Sequence, residues 1–306
     1  MMVEVREVAQ STYSLDCGKD PVFNLSQVAY LLVDDMPALI DPGSTSAAAQ
    51  LLGGLDKIGL DPKRLAYIIP THIHLDHAGG AGYLAGKLPE TKVVLHPRGA
   101  SHLKDPSRLI QSVRAVFGEK FEETLGPILP VPQGQMHVVH DGEVIHLGRR
   151  ELKVFFAPGH APHHIALWDS LTNGLFCGDS LGYISEDMPD MPMPVGLPPF
   201  DPQAYLETID RLAGLSPGMV FYAHHGVERH ADGLIVRVRE TLVALCEIIS
   251  QALKAGEDER RISGRVLEYL RTYVAQAELP IIVEASIAGY IDYFRNKKRP
   301  VAPPDS

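Results

Sequence analysis

Between residues 71 and 77 the chain reads Thr71-His72-Ile73-His74-Leu75-Asp76-His77. It follows Leu65–Ile69, an apolar run whose length and bulk predict a buried strand. Four metal-competent side chains fall within six residues, on a loop leaving that strand, where they can converge on a small volume. Imidazole and carboxylate together suit zinc, iron or manganese, and the absence of thiols argues against a structural zinc–cysteine site.

Strand-like and helix-like segments intermix from Val3 to about Tyr222. Val28–Val33 and Ala38–Ile40 read as a strand pair turning at Asp34-Asp35-Met36-Pro37, with a helix starting near Ser44 after an Asp-Pro-Gly turn. Further strands are expected at Lys92–Leu95, Leu152–Ala157, Ile165–Trp168, Leu175–Cys177 and Met219–Tyr222. Asp105-Pro106 and Asp201-Pro202 each pair an N-capping Asp with Pro at the first helical position, and Tyr205, Ile209 and Leu212 continue the second at helical spacing. After His230 the pattern changes: Ile235, Val238, Leu242, Leu245, Ile249 and Leu253 recur at intervals of three and four, and Gly256 stops the helix. Two more helices are expected at about Arg261–Ala275 and Ile282–Asn296. The reading is therefore an α/β domain over residues 1–230 and a helical domain over 231–298. The Pro-rich tail, 299–306, is expected to be disordered.

Composition removes several function classes. Of 306 residues 45% are hydrophobic and 22% charged, the profile of a globular protein rather than a disordered or fibrous one. No apolar run approaches a membrane span, and the N-terminus alternates like a strand instead of carrying a signal peptide's apolar core. Three scattered cysteines make a disulfide framework improbable, which points to a reducing cytoplasm. The net charge of −10 sits in residues 1–230, with 27 acidic against 17 basic side chains. Nucleic-acid affinity comes mainly from Lys and Arg, so that partner is disfavoured.

The cluster and its surroundings resemble the metallo-β-lactamase-fold superfamily of hydrolases. T-H-x-H-x-D-H is among its more specific marks. Ile40-Asp41-Pro42-Gly43 is similar to the first family motif, Ala157-Pro158-Gly159-His160 to the third, Phe176-Cys177-Gly178-Asp179 to the fourth and Tyr222-Ala223-His224-His225-Gly226 to the fifth. The resemblance spans about residues 28–226. It implies a four-layer αββα sandwich, here with a C-terminal helical appendage placed like that of glyoxalase-II-like members. Carried over, it puts one metal on His72, His74 and His160, a second on Asp76, His77 and His225, and Asp179 between them. The family's usual His-Gly form selects His225 over His224; neighbours on a strand face opposite ways, so His224 is expected in the core or behind the ligands. Asp41 matches a position that braces the ligands, and His164 one close to them. His163 stands where the family commonly has Gly.

The implied chemistry is hydrolysis of a small ester, thioester or lactone by a hydroxide bridging two divalent ions, zinc first, with Fe or Mn as alternatives. Asp76 would orient the nucleophile and move a proton; Tyr183 would supply a hydroxyl to a developing oxyanion, or else serve as a core residue. Asp187–Phe200, with three Met and five Pro, reads either as an adaptable apolar wall beside the metals or as an irregular surface connection or dimer contact. The partner is thus a small molecule, with a homodimer possible. Two rivals stay open: a metallo-phosphodiesterase or ribonuclease, supported only by a winged-helix-like reading of Arg261–Asn296 and the basic Lys297-Lys298-Arg299, and a mononuclear-iron sulfur dioxygenase.

Overall fold

The computed structural model describes residues 3–19, 25–118, 121–185, 188–271, 273 and 281–296. The chain packs as two compact units, each discontinuous in sequence.

The first unit takes Met1–Phe156, His163–Gly178 and Pro217–Arg229. Its first sheet runs β1 (Glu4–Ala9), β2 (Thr12–Lys19), β3 (Ser26–Leu32), β4 (Ala38–Ile40), β5 (Tyr67–Ile69), β6 (Lys92–Leu95) and β7 (Met136–Val138), in that spatial order. The first four strands form an antiparallel meander, Tyr30 lying opposite Ile40. From β4 onward the pairing is parallel, Ile40 beside Ile69, so each connection must cross over, and helices fill the crossovers. They are α1 (Thr45–Lys57) after β4, α2 (Leu75–Ala78) and α3 (Ala81–Lys87) after β5, then α4 (Pro97–Lys104), α5 (Ser107–Phe117) and α6 (Phe121–Leu125). Ser44 caps α1, as its sequence suggests, while Asp105 closes α4 and its carboxylate accepts from the Ser107 amide as α5 begins.

The second sheet collects β8 (Val144–His146), β9 (Glu151–Phe156), β10 (Ile165–Asp169) and β11 (Gly174–Gly178). It is completed by two strands that follow the hairpin of β12 (Tyr183–Ser185) and β13 (Met188–Met193): β14 (Met219–Tyr222) and β15 (Gly226–Glu228). Alternation along the strands explains how the sheets stack. Tyr30, Leu32, Ile40 and Ile69 of the first sheet share one core with Leu152, Val154, Leu167, Phe176 and Phe221 of the second. Phe176 and Phe221 stack at 4.2 Å, with the Tyr30 ring edge-on to both. The alternate residues Leu15, Ala29, Leu31, Leu39 and Ile68 pack outward on Ala48, Leu51 and Leu55 of α1 and Leu84 of α3. Helix, sheet and sheet thus follow one another within this unit.

The second unit takes Ala157–Pro162, Asp179–Ser216 and the described residues of His230–Ser306. It holds the β12–β13 hairpin, α7 (Pro202–Ala213), α8 (Ala231–Lys254), α9 (Glu259–Leu270) and α10 (Ile281–Asn296). α8 is its hub, packing on β13, α7, α9 and α10, and it buries Ile235, Val238, Leu242, Leu245 and Ile249 as their spacing predicts.

Three expectations change here. Packing does not divide the chain at a single boundary near residue 230, because the helical unit also recruits residues 157–162 and 179–216. The Met/Pro segment is no surface connection: Met188, Met191 and Met193 are at most 2% exposed, and β13 lies against α8. Alternating Met with Pro gave no strand signal, since Pro lowers strand propensity. A winged helix has no support among the described residues, where Arg261–Asn296 holds helices without strands. Asp187, Ala275, the basic end at 297–299 and the tail at 299–306 lie outside the described residues. Among those that are described, no helix is long and apolar enough to cross a membrane.

Candidate metal centre

β5 ends at Ile69, Thr71–His74 leave the sheet as a run of bends, and His74, itself in an extended conformation, becomes the residue preceding α2. That geometry separates the motif into two pairs. His72 and His74 belong to the bent part, with His72 Nε2 and His74 Nδ1 2.8 Å apart. Asp76 and His77 share the single helical turn, His77 Nε2 lying 3.4 Å from Asp76 Oδ2.

Asp41, at the end of β4, organises this loop. Its carboxylate accepts from the Thr71 amide at 2.7 Å and the Thr71 hydroxyl at 3.0 Å, and Oδ2 lies 3.2 Å from His77 Nδ1. An imidazole held through Nδ1 presents Nε2 as its ligating nitrogen. Asp41 adopts φ 48°, a left-handed conformation that Asp tolerates better than most side chains. The bracing expected of Asp41 therefore has a geometric form.

The paired histidines correct the sequence reading. His224 Nδ1 lies 2.9 Å from the Ser26 carbonyl, and its Nε2 lies 3.3 Å from Asp76 Oδ2. Asp76, His77 and His224 form a group whose ligand atoms all lie within 4.8 Å of one another. His225 is turned elsewhere: its Nε2 is 2.7 Å from Glu228 Oε1 and its side chain is 27% exposed. The cause is local. β14 ends at Tyr222, and Ala223–His225 form the turn into β15, so the side chain selected by the His-Gly form does not face Asp76. Burial pushes the Asp76 carboxyl up, but the neighbouring His77 and the hydrogen bond from His224 outweigh it and hold the group well below the usual carboxylate range.

The remaining expected ligands, His160 and Asp179, belong to the second unit, and there they meet. His160 Nε2 is 3.4 Å from Asp179 Oδ2, and its Nδ1 is 3.1 Å from the Val195 carbonyl. Both residues are nearly inaccessible to solvent. Tyr183 is a buried residue of β12, across from Met193.

The sequence reads His164 as close to the ligands and leaves the contribution of His163 open. The His164 ring stacks on His72 at 4.8 Å, and a side chain at Gly178 would come within 2.7 Å of its Nε2. His163 Nδ1 is 3.5 Å from the Ile73 amide. The signal is the adjacent pair itself, beginning three residues after the motif histidine His160. His137 and His140, by contrast, pair with Glu143 on a strand edge of the same unit.

The donor set fits metal ions. In the Asp76, His77 and His224 group, imidazole nitrogens and a carboxylate oxygen lie at mutual distances suited to a shared cation, and the second nitrogens of His77 and His224 are taken by Asp41 and the Ser26 carbonyl. Fold and site together define a metal-binding protein with two stacked sheets and C-terminal helices. Residues 23–224 match the sequence pattern of the metallo-beta-lactamase superfamily, more than half of the chain, and the chain belongs to that superfamily. It is 26% identical over 218 residues to a metallo-beta-lactamase fold-containing protein of Sulfurisphaera tokodaii, a match covering 70% of this chain and 78% of that one. It is 27% identical over 143 residues to a hydroxyacylglutathione hydrolase of Serratia proteamaculans, but spans 41% of that relative's length. The solved metallo-beta-lactamase family protein of Thermus thermophilus superposes with a TM-score of 0.70 at 23% identity, over 94% of each chain. The fold is thus the αββα metallo-β-lactamase sandwich with added C-terminal helices.

Proposed function

We propose that this chain is a dinuclear metal-dependent hydrolase of a small ester, thioester or lactone. The observation that carries the reading is the Asp76, His77 and His224 group, braced through Asp41 and Ser26. Following the family pattern, His72, His74 and His160 would hold one ion; Asp76, His77 and His224 the other; and Asp179 would serve both. Zinc suits this nitrogen-rich set, with iron or manganese as alternatives. Such ions, when bound, lower the pKa of water towards ~7 and polarise a carbonyl oxygen.

The chain's own residues contribute position and proton handling. Asp41 fixes Thr71 and His77, so the motif loop needs no reorganisation before substrate arrives. Asp76 is ionised at neutral pH because His77 and His224 hold it so, and its Oδ2 is the acceptor for a proton given up by an attacking water. The same carboxyl then returns that proton to the leaving atom. We place Tyr183 as a hydroxyl donor to the substrate oxygen only in a secondary role, because it packs as part of the β12–β13 hairpin. The acidic balance of residues 1–230 supports a small substrate over nucleic acid. Its scattered cysteines suit a reducing cytoplasm.

Metal analysis of the purified chain with a panel of esters, thioesters and lactones, an RNA oligomer and a phosphodiester tests the reading. Two zinc ions per chain with acyl turnover is the expected result. RNA cleavage without acyl turnover would replace it with the nuclease, and one iron with oxygen uptake would replace it with the dioxygenase.

A further inference from the structure

His160 and Asp179 sit on separate segments of the second unit, with no strand or helix in common, yet His160 Nε2 and Asp179 Oδ2 are 3.4 Å apart. Something must hold both segments, and the first turns of α7 do. The Asp201 amide donates to the Gly159 carbonyl at 2.9 Å, and the Thr208 hydroxyl donates to the Pro158 carbonyl at 2.6 Å. Gly159, at φ 134°, lies so close to α7 that a Cβ there would be 2.3 Å from Tyr205 Cα. The loop carrying His160 therefore rests on the main chain of Tyr205.

The side chain of the same residue reaches the other segment. Its hydroxyl donates to the Asp179 carbonyl and accepts from the Gly182 amide at 3.0 Å. Gly182 also closes a turn onto the Asp179 carbonyl at 3.1 Å. Tyr205 is fully buried, and the Phe200 ring meets it edge-on at 6.1 Å, which limits the phenol to this direction. One residue thus touches both segments, its backbone under Gly159 and its phenol tip on Asp179.

We propose that the Tyr205 hydroxyl is the positioning group that sets the Asp179 carboxylate against His160. The proposal rests on the reading of both as metal ligands. Tyr205 reaches neither substrate nor metal in this role; it acts through the Asp179 main chain. Outer groups that orient ligands typically change metal affinity 10–100-fold when removed. A tyrosine whose hydroxyl merely satisfied the core would change stability and leave affinity alone.

The test uses Tyr205→Phe, which keeps the ring and removes only the hydroxyl. Ser286→Ala is the matched control, deleting a buried hydroxyl of the same unit that bonds the Ile282 carbonyl at 2.7 Å. Zinc affinity is read by competition with a chromogenic chelator on the full chain, and Gly182 amide exchange by NMR. The expected result is zinc binding at least about 10-fold weaker in Tyr205→Phe, faster exchange at Gly182, and wild-type affinity in Ser286→Ala. Affinity within about twofold of wild type in Tyr205→Phe, or an equal loss in Ser286→Ala, would overturn the proposal. Crystal structures of the metal-free wild type and Tyr205→Phe separate the two readings. If the wild type binds no zinc, the proposed hydrolase fails, and the distance between His160 Nε2 and Asp179 Oδ2 still decides this inference. A separation unchanged from wild type in Tyr205→Phe refutes it, and one widened by about 1 Å or more supports it.

Discussion

His224 Nε2 lies 3.3 Å from Asp76 Oδ2, while the adjacent His225 is paired with Glu228. His224→Ala should therefore lower metal content by about one ion per chain and remove most turnover. His225→Ala removes only a partly exposed pair and should leave metal content unchanged, with a stability change below about 1 kcal/mol. Metal analysis of the two purified variants checks this. Loss of metal from His225→Ala alone would restore the assignment drawn from the His-Gly form.

Asp41 touches the Thr71 amide, the Thr71 hydroxyl and His77 at once. Asp41→Asn preserves the left-handed backbone and one acceptor but not the second carboxylate oxygen. Metal affinity should fall about 10–100-fold, and stability by roughly 1–2 kcal/mol. Chelator competition and urea unfolding measure the two effects separately. Unchanged metal affinity beside a lowered stability would show that Asp41 supports the loop without tuning its ligands.

The motif loop was legible because its spacing is local: a strand, a proline and one helical turn fix where His72, His74, Asp76 and His77 can point. The apolar run Val28–Val33 likewise reads as a strand from its own residues, and the structure buries Ala29 and Leu31 in one core and Tyr30 and Leu32 in the other. What failed depended on a turn or on distant packing. Whether His224 or His225 faces Asp76 is decided by where β14 stops, and a change of one residue there exchanges the two. The recruitment of residues 157–162 and 179–216 into the helical unit follows from contacts of α7 and α8 that no short window contains. Helical spacing marks Tyr205 only as one apolar point on a helix, because it reports which face is buried and not what a hydroxyl bonds.

Arg150 and Asp169 are both fully buried, with Arg150 Nε 3.5 Å from Asp169 Oδ1. The guanidinium also donates to the Gln10 carbonyl at 2.7 Å and the Thr12 hydroxyl at 3.0 Å, tying the β1–β2 turn to the second sheet. Removing Arg150 leaves the buried Asp169 without its ionic partner, held by the Leu171 amide and the Thr172 hydroxyl. Arg150→Ala should destabilise the chain by roughly 3–5 kcal/mol. Arg150→Met, which refills the volume, should cost less. Denaturant midpoints rank the two, and metal bound per folded chain should not change in either. An Arg150→Ala midpoint near that of wild type would mean that the pair contributes nothing net.

His96 caps α4 in an uncommon way: its Nδ1 accepts from the Arg98 amide at 3.0 Å, and its ring packs on Phe156 at 4.1 Å. Only the neutral imidazole can accept that bond. Burial, with the Arg98 charge adding to it, pulls the pKa from 6.5 down to about 4. Because the folded value lies below the unfolded one, the unfolded chain binds more protons between them, and stability rises with pH across that window. The contribution is fully present above the unfolded value of 6.5 and is lost progressively as pH falls to about 4. At about pH 5 the loss should be roughly 1 kcal/mol, half of what the bare shift gives, because water reaches part of the ring. Asn is a good N-cap that does not titrate in this range. His96→Asn should consequently lose less stability than wild type between about pH 7.5 and pH 5, whatever its starting level. Unfolding free energies of the two proteins at both pH values give the comparison, since carboxylate titration is common to them and cancels. Parallel pH profiles would show that His96 titrates alike in the folded and unfolded chain, and that its cap survives protonation.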